Sequence, residues 1–176
     1  KNTTTKIFKR NRRNGLVVNS RQKGSKAELK AAAMLKTYTG IDFTVTPGSG
    51  SGKIKGDLYV IDKHNIFMIE VKHYRDMAFN QKIFTQKNNN FVKWWTKAIA
   101  QAKEMEQEPL LMFKQNYSQW YIATTRKPVQ TKRYMYINWL GAYIVLADKW
   151  LENEKVEFTN GDKLLKPWEP DPEWEL

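Results

Sequence analysis

The stretch GDLYVIDKHNIFMIEVK, Gly56 to Lys72, decides the fold. Its two halves, Asp57–Ile61 and Ile66–Lys72, read as strands, and the polar run Asp62-Lys63-His64-Asn65 between them reads as a turn. Pairing Asp62 with Asn65 across that turn brings Asp57 opposite Glu70, with Cβ atoms about 5 Å apart on one face. Lys72 lies two residues beyond Glu70. Side chains alternate along a strand, so it shares that face roughly 6.6 Å further on. The segment Ile66-Phe67-Met68-Ile69 is almost wholly apolar, the pattern of a strand buried on both faces, and a carboxylate and a lysine at its end need a reason. Two carboxylates that close repel unless one keeps its proton or a cation neutralises both. Their oxygens, with the backbone carbonyl of Val71 as a further donor, suit a hard ion such as Mg²⁺, which keeps several waters and takes phosphate oxygens as ligands. A lysine beside them can orient a water or assist its deprotonation. A surface Asp-Lys-Glu cluster on an ordinary hairpin is the competing reading.

Outward from the hairpin, Ser25-Lys26-Ala27-Glu28 is a capping box that predicts a helix start at Ser25. Ala27, Ala31, Met34, Leu35 and Tyr38 follow at helical spacing, and Gly40 ends the helix. Ile41–Thr46 predicts a short strand. The loop Pro47–Gly56, PGSGSGKIKG, permits close backbone approach to a ligand. It is not a P-loop: Pro47 stands where the first glycine belongs, Ile54 replaces the Mg²⁺-binding Ser or Thr, and a strand follows. Beyond the hairpin, Phe91–Gln107 predicts a helix with Trp94, Ala98, Gln101 and Met105 on one face, broken by Pro109. Leu110–Lys114, Gln119–Thr124 and Ala142–Ala147 read as strands, and Asp148 as the cap of a short helix through Leu151. Trp94, Trp95, Trp120 and Trp139 fall in helical or apolar patterns, which favours the core or a subunit interface over base stacking. Helix, strand, hairpin, helix, strand is an α/β order, with a central mixed β-sheet flanked by helices. No dinucleotide-binding glycine fingerprint is present, and no nucleotide cofactor is expected.

Charge is the loudest compositional signal. Thirty Lys and Arg face eighteen Asp and Glu, a formal net charge of +12. Such an excess points to a polyanion, most commonly nucleic acid. Eleven of the basic residues and one acid lie between Lys1 and Lys36, whereas Asp148 to Leu176 holds nine acids and four lysines. We therefore expect a basic flexible arm over residues 1–24, a basic body over 25–151, and an acidic, Pro- and Trp-containing extension over 152–176. Arg10, Arg12, Arg13, Arg21 and Lys23 are candidate phosphate contacts from the arm, with Lys53 and Lys55 from the loop. With no cysteine, thiol catalysis and cysteine-ligated metals are excluded. The longest apolar run, Leu140–Ala147, is too short to span a bilayer, and no secretory signal or membrane partner is expected.

Gly56-Asp57, then Glu70-Val71-Lys72, resembles the signature of the PD-(D/E)xK nuclease superfamily. The helix carrying Glu28, the PGSGSG loop, GDLYV, IEVK and the later WWTKAIAQAKEMEQEPLLMFK are together similar to the archaeal-type Holliday junction resolvases, from about Ser25 to Thr125. One departure is Gly56, where the superfamily name has Pro. The resemblance implies a restriction-endonuclease-like core and a Mg²⁺-dependent endonuclease, with Mn²⁺ as a substitute. Its substrate would be branched DNA, above all four-way junctions, cut by in-line water attack to leave a 5′-phosphate and a 3′-hydroxyl. It implies metal ligation by Asp57 and Glu70, water activation by Lys72, and a position near the scissile phosphate for Gln101. Ser49 and Ser51 would lie near the junction strands. Glu28 is left open between metal ligand and helix cap. Symmetric cutting implies a homodimer. Such an enzyme would serve DNA recombination and repair in a prokaryotic cytoplasm, or in the host cytoplasm if viral. A restriction-type or end-acting nuclease of the same superfamily, or a DNA-binding protein without catalysis, are the alternatives. His64 and His73 receive no role.

Overall fold

The computed structural model describes residues 20–47, 54–75, 81–85 and 88–161. Helix α1 (Ser20–Thr39) leads through β1 (Thr44–Val45) to a hairpin of β2 (Leu58–Tyr59) and, after β3 (His64–Asn65) in its turn, β4 (Phe67–Tyr74). Helix α2 (Asn90–Glu104) crosses over to β5 (Glu108–Gln115), which lies parallel to β4, as a connection through a helix allows. Then follow β6 (Tyr121–Thr124), β7 (Tyr134–Ile137), β8 (Ala142–Leu146), α3 (Ala147–Glu154) and β9 (Thr159–Asn160). The central sheet has the order β1-β2-β4-β5-β6-β8-β7, and its other pairings are antiparallel. It is the mixed sheet that the element order implies. None of the described helices is long and apolar enough to cross a membrane.

The sheet buries both faces. Ala27, Ala31 and Leu35 of α1 and Trp150 and Leu151 of α3 pack with Phe67, Ile69 and Val71 on one side. Phe91, Trp95 and Ala98 of α2 pack with Met68, Leu111 and Phe113 on the other. The small side chains of α1 let its backbone approach the strand that carries Glu70. The hairpin register is Leu58 opposite Ile69, so Asp57 stands opposite Glu70 as the turn predicts. Asn65 closes the turn: its Oδ1 accepts from the Val60 amide at 2.7 Å and its Nδ2 donates to the Val60 carbonyl at 3.0 Å.

Several sequence expectations are corrected. Helix α1 begins at Ser20, so Ser25 lies inside it and the Ser25/Glu28 capping box does not form. Residues 20–24 are helical rather than part of an arm, because Arg, Gln and Lys are good helix formers that outweigh about 1 kcal/mol for Gly24. Helix α2 ends at Glu104, before Pro109, and Pro109 enters β5 instead of acting as the breaker. Leu146, not Asp148, is the N-cap of α3, and Asp148 lies in its first turn. Residues 152–161 belong to the fold: α3 runs through Glu154, Phe158 is buried against Phe67 and Trp150, and β9 pairs with β3. Of the tryptophans expected inside, Trp94 and Trp95 are buried, Trp120 is partly buried, and Trp139 is exposed at the surface.

Candidate active site

Asp57 sits at the first position of the hairpin, and its backbone explains the glycine before it. Gly56 has φ +86°, and a Cβ there would lie 2.8 Å from the Ile69 carbonyl oxygen. Proline, with φ fixed near −65°, cannot adopt that conformation. The tight approach lets the Asp57 amide donate to the Ile69 carbonyl at 2.7 Å, while Asp57 Oδ2 accepts from the Val71 amide at 2.7 Å. The carboxylate is thereby pinned beside β4.

Glu70 and Lys72 share a face of β4, as alternation requires. The Lys72 ammonium lies 2.5 Å from Glu70 Oε1 and 3.6 Å from Asp57 Oδ2, and it donates to the Val71 carbonyl oxygen at 3.1 Å. Oxygens of the three sequence-predicted donors, Asp57, Glu70 and Val71, therefore converge on one cation. Asp57 is 5 % exposed and Glu70 2 %. Sequence reasoning missed a second cation. Lys97 of α2 donates to Glu70 Oε1 at 3.1 Å. The available signal was its position four residues before Gln101, on the same helix face.

The electrostatics follow from burial. Desolvation, and then the Glu70 charge, raise the Asp57 pKa above the ordinary aspartate value, against the pull of Lys72 and the Val71 amide. Burial works against the Lys72 ammonium, but Asp57 and Glu70 outweigh it and raise its pKa. Glu28, in the third turn of α1, is half-buried. Its pKa is raised by desolvation and by the nearby Asp57, with Lys72 opposing. Because α1 starts well before it, Glu28 is not a helix cap; the helix brings it toward the two carboxylates.

The other predicted residues divide. Gln101 lies one turn after Lys97, and its Oε1 is buried with no hydrogen-bond partner among the described residues. Lys55 pairs with Glu104 at 3.7 Å, and Lys23 donates to Asn116 Oδ1 at 2.8 Å. Arg21 lies in the first turn of α1. Arg10, Arg12, Arg13, Ser49, Ser51 and Lys53 fall outside the described residues. His73 points to the face opposite Lys72, toward Trp120, and is not drawn into the site.

The donor set fits a divalent ion. Among the described residues no three carboxylate or imidazole groups gather into a cage. Two carboxylates and a carbonyl nonetheless suit a metal that retains water, and a positive charge already stands where their oxygens meet.

A profile of the family described as "Phage putative PDDEXK endonuclease" matches residues 19–170, a span that includes Glu28, both carboxylates, Lys72 and Gln101. Protein D14 of Escherichia phage T5 is 28% identical over 156 residues, which cover 81% of this chain and 98% of that protein. A solved structure of Hjc, a Holliday junction resolvase from the archaeal hyperthermophile Archaeoglobus fulgidus, aligns with 72% of this chain and 91% of its own. Its sequence identity is 12% and its TM-score 0.40.

Proposed function

The chain belongs to the phage PDDEXK endonuclease family, and from that premise we propose that it is a Mg²⁺-dependent endonuclease that resolves four-way DNA junctions as a homodimer. The observation that carries the reading is the meeting of Asp57, Glu70 and the Val71 carbonyl at one cation position. Asp57, Glu70 and Val71 would hold the ion. Mg²⁺ bound there supplies an acidified water and a Lewis acid for the phosphoryl oxygen. Lys72, freed from the three oxygens, orients the attacking water and shares its proton. Lys97, which donates to Glu70 Oε1 at 3.1 Å, keeps Glu70 aimed. Glu28, with its raised pKa, accepts a hydrogen bond from water at the site's α1 side, and Gln101 offers its amide to the substrate strand.

The choice of junctions rests on the ordered set of Glu28, serine-containing loop, Asp57, E-V-K and Gln101, similar to archaeal-type resolvases. The net charge of +12 suits several phosphate contacts, so affinity falls steeply with salt. Two copies related by a two-fold axis supply two sites for paired cuts. The test compares a mobile four-way junction with linear duplex at equal salt, with Mg²⁺ and with EDTA, beside Asp57→Asn. Paired nicks on the junction alone, lost in EDTA and in the variant, are expected. Equal cutting of both substrates would remove junction selectivity and leave a nuclease. No Mg²⁺-dependent cutting by the wild-type chain would remove the catalytic reading.

A further inference from the structure

On the α2 side of the sheet, a groove of about 550 Å³ opens across the ends of β5, β6, β7 and β8. This is the size of a small-ligand site. Its floor is a stacked aromatic pair, Phe113 and Tyr121, with ring centroids 5.5 Å apart and planes 25° apart. Ile144 and Met135 form an apolar wall, and Arg133 lies at one end. The groove is tied to the candidate active site by strand register. Lys72 pairs with Phe113, Phe113 with Tyr121, and Tyr121 with Leu146, one transverse row running from the catalytic lysine into the groove. At about 4.8 Å per strand, Tyr121 stands roughly 10 Å from Lys72 along that row. That is a reach of one or two nucleotides.

Aromatic floor, apolar wall and a guanidinium at the rim are the features that hold a nucleobase and its phosphate. An apolar peptide segment would not need the Arg133 guanidinium, and an acidic one would have no use for the stacked rings. We propose that this groove is a nucleobase pocket: it receives one base turned out of the DNA near the cleavage point, stacked on Phe113 and Tyr121, with its phosphate against Arg133. The proposal rests on the reading that the chain cuts DNA. It adds a contact that fixes where along the strand the scissile phosphate stops.

The test walks a single abasic site across the nucleotides flanking the crossover of a junction and measures affinity in EDTA and cleavage position in Mg²⁺. With the wild-type chain, one position should lower affinity about tenfold, as loss of one stacked base does. Met135→Trp fills the groove from an edge strand where Met135 is 46% exposed, so the fold tolerates it. This variant should lose the same about tenfold on the intact junction and become insensitive to the abasic position. Arg133→Glu should weaken binding with no change in circular dichroism. A flat abasic scan, or a scan unchanged by Met135→Trp, in a chain that still cuts, overturns the pocket alone. If light scattering shows Met135→Trp splitting a wild-type dimer, the groove is a contact between copies and the base assignment is overturned. If the wild-type chain cuts no DNA, the underlying reading fails with it.

Discussion

Lys72→Met exposes the central electrostatic arrangement. In the metal-free protein the ammonium is the charge common to Asp57, Glu70 and the Val71 carbonyl. Removing it leaves two carboxylates that are 5 % and 2 % exposed facing each other. Breaking a buried ion pair in this way costs about 3–5 kcal/mol. Lys97 still holds Glu70 at 3.1 Å, and the Lys72 side chain is itself 23% exposed, which puts the loss near about 3 kcal/mol. For a chain of this size each kcal/mol moves Tm by about 2–4 °C, so Tm should fall by about 6–12 °C in EDTA near neutral pH. The sign of the pH dependence follows from Asp57. Its folded pKa lies above the unfolded value of about 3.9, so its contribution to stability is full below that value and is lost as pH rises through the folded pKa. Without Lys72 that pKa climbs further, so the deficit should be large near neutrality and shrink as pH falls toward about 4. Mg²⁺ at ten times its Kd should restore about 1.4 kcal/mol. Differential scanning fluorimetry across pH, with EDTA and with Mg²⁺, reads all three effects. A variant with the wild-type Tm near neutral pH, or an equal deficit at both ends of the pH range, would refute the reasoning.

Other substitutions test neighbouring parts of the same arrangement. Glu70→Gln should reduce junction cutting by at least about a hundredfold while binding in EDTA is kept or tightened, since a charge that repels phosphate is gone; gel shift and nicking assays read the two separately. Lys97→Met removes a cation 56% exposed, so stability should change by less than about 1 kcal/mol while cutting falls about tenfold; a large fall in Tm would mean that Lys97 is structural. Gly56→Ala forces a Cβ to 2.8 Å from the Ile69 carbonyl at φ +86° and should destabilise by about 1–3 kcal/mol in chemical denaturation; a neutral result would contradict the close approach.

The hairpin was legible because every determinant is local. A polar four-residue turn and alternating side chains fix the register, and the register sets Asp57 against Glu70 and Lys72. Lys97 was not legible as a partner, because its contact with Glu70 spans twenty-seven residues and depends on how α2 crosses the sheet. The start of α1 was misread because Ser25 and Glu28 satisfy a local capping pattern, while tertiary packing of Ala27, Ala31 and Leu35 supports a helix that begins a turn earlier. Strand β7 escaped notice because Tyr134, Met135 and Tyr136 sit on an edge with all three exposed, which erases the alternation that marks a half-buried strand. The buried fate of Phe158 in an acidic, charged segment was invisible for a related reason: its partners Phe67 and Trp150 come from distant elements.

The claim on which the account stands is tested most directly by a crystal structure grown in Mn²⁺ with anomalous data at the manganese edge. The account predicts one peak bounded by Asp57 Oδ2, Glu70 Oε1 and the Val71 carbonyl oxygen, with the Lys72 ammonium displaced from between them and the peak lost in Asp57→Asn. Manganese bound elsewhere, with Lys72 still bridging both carboxylates, would contradict it.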